Sequence, residues 1–161
     1  MILMTEKMFV PADNDVLREK YEPRYGVCGI SVIAVLEKKT VSEILEDWIT
    51  DYRGYAPVKE MKKMLQKLGY KCSLKRGKKA RKFPEPATDI AVIRIQFLDE
   101  NGKEFFWAEA TLHSHYVLMQ KVNGKWWIFC NGDAKWFAKD SVTAKKYLKD
   151  CYVSSYLELT K

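Results

Sequence analysis

Apolar residues recur at helical spacing through the first half of the chain and at strand spacing through the second. Ile30, Ile33, Ala34 and Leu36 mark a helix from Gly29 to about Lys38, beginning at or beside Cys28. Thr40-Val41-Ser42-Glu43 is a capping box, S/T-x-x-E. It opens a second helix through Ile44, Leu45, Trp48 and Ile49 that Gly54 ends. Pro57 suits the first turn of a third helix, Val58 to Leu68, with Met61, Met64, Leu65 and Leu68 on one face and Gly69 as its stop. A methionine stripe at that spacing reads as core.

Beyond Gly69 the period shortens. Tyr70 to Leu74 predicts a short strand, followed by a basic loop over 75–82 and by Pro84 and Pro86. Asp89 to Phe97 is β-rich, Asp99 to Gly102 a hairpin turn, and Lys103 to Ala110 a returning strand. His115 to Lys121 and Lys125 to Cys130 form a second hairpin about Asn123-Gly124. Residues 141–149 predict a short helix, and Tyr152 to Leu159 alternates like a last strand. No Pro/Gly/Ser linker separates the halves. The expectation is one α+β domain over 1–161, helical to about 69 and an antiparallel sheet from about 70.

Composition narrows the classes. With 161 residues, 47% apolar and 13% aromatic, the chain can bury a core and is not of disordered composition. No apolar run approaches the roughly 20 residues a bilayer span needs, which argues against a membrane protein. The opening MILMTEKMFVPADND lacks a basic flank and a small-residue cleavage site, so no signal peptide is expected. Four widely spaced cysteines without a CxxC then imply reduced thiols in a cytoplasm. The net charge of +7 is concentrated in Lys75 to Lys82, where six of eight residues are Lys or Arg. A solvated basic loop explains that run, and it could also hold an acidic partner. Only Phe83 is nearby as an aromatic, which argues against nucleic acid.

Chemistry enters with Cys28. A thiol where a loop becomes a helix meets unpaired N–H groups and a partial positive charge, which lower its pKa. The only two histidines, His113 and His115, open one predicted strand, and Asn131 and Asp133 follow the strand paired with it. A thiol needs a histidine to take its proton and a third polar group to orient the ring. The backbone N–H of Cys28 would serve as one oxyanion donor. A three-residue loop at Val122–Gly124 sets Asn131 opposite His115, whereas a two-residue turn sets Gly132 there and leaves Asp133 needing a bulge. His113 shares the strand face of His115 and is the alternative base. Cys72, Cys130 and Cys151 read as small apolar residues. Cys28, His113, His115 and Cys130 lack the close spacing of a structural metal site, so neither metal nor cofactor is expected.

The pieces VCGISVIAVL and HYVLMQKVNGKWWIFCNGD, in helices-then-sheet order, resemble the papain-like superfamily of cysteine peptidases, and most closely its compact bacterial, bacteriocin-processing members. The resemblance covers roughly residues 20–140. It implies a papain-like fold and a thiol hydrolase cleaving a peptide or isopeptide bond of a protein or peptide substrate. Cys28 would be the nucleophile, His115 the base, and Asn131 or Asp133 the orienting residue. The family usually carries a Gln about six residues before the cysteine as second oxyanion donor. Glu22 stands there, and a carboxylate repels an oxyanion, so Arg24 or Tyr25 become substitutes to consider. The rival expectation is a non-enzymatic binding module on the same fold, using Lys75–Lys82 to hold an acidic protein or nucleic acid.

Overall fold

The computed structural model describes residues 8–11, 13, 28–48, 57–106, 110, 113–131 and 135–161. Among the described residues three helices come first: α1 (Cys28–Glu37), α2 (Val41–Trp48) and α3 (Val58–Lys67). Then follow β1 (Lys71–Ala80), β2 (Ile90–Phe97), β3 (Ser114–Val122), β4 (Lys125–Cys130), β5 (Lys135–Ala138), α4 (Val142–Tyr147) and β6 (Cys151–Thr160). The strands make one antiparallel sheet in the order β1-β6-β2-β3-β4-β5. The α+β expectation therefore holds, with the last strand inserted between the first two.

Side-chain alternation gives the sheet two apolar faces. Val92, Tyr116, Leu118, Phe129, Trp136, Leu157 and Leu159 pack with the helices α1 to α3. Ala91, Ile93, Ile95, Val117, Met119, Ile128, Cys130 and Phe137 pack on the other side, under α4 and Phe83. Helix α1 is buried from Gly29 through Val35, because it has the sheet on one side and α2 and α3 on others. Hence its sequence is apolar all round rather than striped. Met61, Met64 and Leu65 of the methionine stripe lie in that core. The α2 capping box is half realised: Thr40 Oγ1 accepts from Glu43 N at 3.2 Å. Asp13 supplies the rest from a distance, accepting from Val41 N (2.8 Å), Ser42 N (3.0 Å) and Ser42 Oγ (2.7 Å).

Three expectations are corrected. The stretch 75–80 is not a loop, since β1 continues through it along β6, and only Arg81 and Lys82 lie beyond the strand. An edge strand needs backbone pairing on one side only, and its lysines reach water and blunt the open edge. The pairing is interrupted once. Arg76 faces Ser155 and Ala80 faces Val153, so Gly77, Lys78 and Lys79 bulge against the single residue Ser154. Lys78 and Lys79 have left-handed backbones, with φ of 55° and 54°.

Secondly, Lys103 to Phe106 is not a returning strand, and residues 107–109 lie outside the described residues. The turn itself forms, Asp99 Oδ1 accepting from Asn101 N and Lys103 N. Both edges of β2 are already taken, by β3 and β6, so no place remains beside it. Thirdly, the β3–β4 hairpin closes with a two-residue turn, Val122 pairing with Lys125. Asn123 and Gly124 have φ of 53° and 79°, both positive as a type I′ turn requires. The three-residue loop, and with it Asn131 opposite His115, does not occur.

Gly77 admits no side chain: a Cβ there would lie 2.1 Å from the Val153 carbonyl oxygen. Gly77→Ala should therefore force β1 away from β6 and cost about 1–3 kcal/mol, read as a lowered midpoint in urea unfolding. Burial opposes ionisation of Asp13, but the bonds from Ser42 and Val41 outweigh it and hold its carboxyl below the usual 3.8. Its contribution is then present above that pH and disappears as pH falls through the lower folded value. Asp13→Ala should cost about 1 kcal/mol at neutral pH and progressively less below pH 4, measured by denaturant titration across pH.

Candidate active site

Cys28 is the first residue of α1 and only half-buried, although the seven residues after it are buried. Burial of the helix thus fixes the thiol at the rim of the helical layer. The start of β3 lies beneath it. Gly29 approaches Tyr116 closely enough that a Cβ would stand 3.6 Å from the Tyr116 ring. Tyr116 registers the thiol electrically. Burial pushes its phenol up, Arg94 opposes, and the Cys28 charge adds to the rise.

His115 belongs to the opposite side of the strand. Its neighbour Tyr116 packs with α1, and Val117, two residues on, packs under α4. By alternation the imidazole lies on the α4 side. There its Nε2 is 3.3 Å from Cys130 Sγ, which is in turn 3.3 Å from the Tyr147 hydroxyl. Phe97 stands beside the ring, centroids 6.2 Å apart. Burial lowers the imidazole pKa to about 4, so the ring is neutral at pH 7. A neutral imidazole beside a buried thiol is a hydrogen-bonded pair, not the ion pair of an activated nucleophile.

His113 is held elsewhere, stacked on Phe105 with centroids 3.7 Å apart and rings 3° from parallel. Gln96 pins the approach to β3 by donating to the carbonyls of Ala110 (2.9 Å) and His113 (3.2 Å). Asn131, just after β4, is buried. Extending the β3–β4 register by two residues sets it opposite Tyr116, on the side of α1 and Cys28. Asp133, Glu22, Arg24 and Tyr25 lie outside the described residues.

His115, Cys130 and Tyr147 meet on the α4 face of the sheet, while Cys28 and Asn131 belong to the helical face, so the structure does not bring His115 and Cys28 together. Pairing between β3 and β4 starts only at Leu118 and Phe129. From Ser114 to Val117, β3 is paired with β2 alone, which parts it from the end of β4. Burial and the neighbouring Cys130 push the Tyr147 phenol well above its usual range.

Tyr147 and Cys130 were not legible as partners of His115. The signal lay in the turn. A two-residue Asn-Gly turn places Cys130 across from Val117, one diagonal step from His115 on the same face. Cys72 and Cys151 are poor nucleophiles by environment. Burial pushes Cys72 up, and pushes Cys151, whose thiol donates to the Tyr147 carbonyl, to about 11. Among the described residues no group of three or more His, Cys, Asp or Glu is placed to hold a metal ion. Nor is any described helix long and apolar enough to cross a membrane.

No family model and no curated protein matches this chain.

A histidine that folds with its pKa lowered destabilises the fold in acid, because the unfolded chain takes up the proton first. From an unfolded value of 6.5 to a folded one of about 4, stability should fall as pH falls. His115→Leu should flatten that part of the stability–pH curve, and the His115 ring resonances of the wild type should titrate near pH 4. A midpoint near 6.5 would contradict the enclosed, neutral ring.

Proposed function

We propose that the protein is a papain-like thiol hydrolase, acting on a peptide or isopeptide bond with Cys28 as its nucleophile. The position of Cys28 carries this reading: a half-exposed thiol at the N-terminus of a buried helix. A helix N-terminus stabilises the thiolate by its partial positive charge, and the site needs a general base within reach. In the proposed reaction the thiolate attacks the acyl carbon. Histidine protonates the leaving amine, and water then hydrolyses the thioester. His115 is the base in this reading, which requires the start of β3 to rearrange so that the ring leaves Cys130 Sγ and reaches the Cys28 side. Asn131 is the third group, being on the Cys28 side. Asp133 and the oxyanion candidates Glu22, Arg24 and Tyr25 belong to the same proposal. The substrate is a protein or peptide, and the compartment is a cytoplasm.

One observation favours a second reading. His115 contacts Cys130 rather than an exposed thiol, as it would in a binding module that performs no chemistry. Its basic edge strand, Lys75 to Lys82, would hold an acidic protein.

Alkylation by iodoacetamide at pH 7, followed by mass spectrometry, separates the two. The hydrolase reading expects Cys28 to react at least about tenfold faster than Cys72, with Cys130 and Cys151 slower still. It also expects His115→Ala to slow the Cys28 reaction, and Cys28→Ser to abolish cleavage of a fluorogenic peptide library. Equal rates at Cys28 and Cys72, unaffected by His115→Ala, would leave the binding module as the account.

A further inference from the structure

A cleft of about 490 Å³ opens on the α4 side of the sheet, where the β1 bulge, the segment after β1 and α4 converge. Its floor is apolar, made by Phe83, Ala144, Leu148 and Val153, all buried. Its rim is cationic: Arg81, Lys82, Lys139 and Lys145, against one carboxylate, Glu85. Lys139 is already paired with Glu85, which leaves Arg81, Lys82 and Lys145 as a net charge of +3. All three are exposed. Arg81 spends one of its five N–H donors on the Lys149 carbonyl, at 3.1 Å. The cleft is of small-molecule size, within the roughly 300–1,000 Å³ of ligand sites.

The lip is built rather than incidental. Gly77 lines the cleft and belongs to the bulge, where two lysines hold left-handed backbones. Such φ values cost free energy in a non-glycine residue, and an unbulged β1 would have run straight past this face.

The geometry points to a binding site for a small organic phosphate: a phosphate or diphosphate head on Arg81, Lys82 and Lys145, and an apolar body on the floor. The single carboxylate, Glu85, neutralises Lys139 and leaves the other three charges uncompensated. A phosphate monoester carries about −1.5 to −2 at pH 7, and a diphosphate more, which matches the rim. The guanidinium fork and two ammonium groups are the donor types phosphate oxygens accept from. The site is independent of the hydrolase reading. It needs no group from Cys28, His115 or Asn131.

The experiment is calorimetric titration of the full chain with ADP, inorganic pyrophosphate and adenosine at low salt. ADP should bind with affinity that falls as salt rises. Adenosine should not bind at the same concentrations, and pyrophosphate should bind at least about tenfold more weakly than ADP because it leaves the floor uncovered. The double variant Lys82→Glu, Lys145→Glu should weaken ADP at least about tenfold. The neutral pair Lys82→Gln, Lys145→Gln should fall in between. Lys59→Glu, Lys63→Glu on exposed positions of α3 makes the same change in net charge and should leave ADP affinity within about twofold, as expected of distant, screened charges. Equal losses in the cleft and α3 variants would overturn the site, since binding would then follow net charge alone. No ADP binding by the wild type, or pyrophosphate as tight as ADP, would overturn it too.

Discussion

Adjacent residues of a strand cannot share a face, and in β3 that constraint organises the whole molecule. Tyr116 and Leu118 anchor the three-helix layer, while Val117 and Met119 anchor the layer under α4. The strand is hydrogen-bonded to β2 along most of its length and to β4 over its second half. A slip by one residue would exchange both sets and bury the wrong side chains on each face. With two apolar faces to satisfy, β3 has one acceptable register, and the positions of α1, α4 and the ends of β4 follow from it.

The same alternation shapes the chemistry. Cys28 arrives from the helical side and His115 points to the other, so the strand lies between them. Enclosure keeps the His115 ring neutral beside Cys130, and Tyr147 closes that chain of polar atoms within an otherwise apolar layer. Buried polar groups without partners are costly, so the three satisfy one another. The imidazole therefore already has a partner on its own face of the sheet.

At the far edge of the sheet, charge and backbone geometry act together. The ten residues of β1 include five Lys or Arg, and still form a strand because β6 offers backbone partners on either side of the bulge. The bulge at Gly77–Lys79 turns the end of that strand, and Arg81 and Lys82 follow it to the rim of the cleft. Lys79 is also drawn to Glu104 at 2.9 Å, tying the segment after the β2 turn to this edge.

Local pattern by itself determined the helices, the two turns and the α+β class. Helical periodicity, capping residues and Asn-Gly or Asp-x-x-Gly turns act over four or five residues and are written there. Cys28 at a helix start and Asn131 at a strand end were legible for the same reason. Tertiary structure alone decided the rest. Which edges of β2 were free decided that Lys103–Phe106 is no strand, and the partner strand β6 turned a lysine-rich stretch into β1. The pairing of β3 with β4 beyond the Asn123-Gly124 turn put Cys130 beside His115. Each of these depends on partners more than ten residues away, and pairing across that distance is settled by competition for edges and faces, which no local window contains.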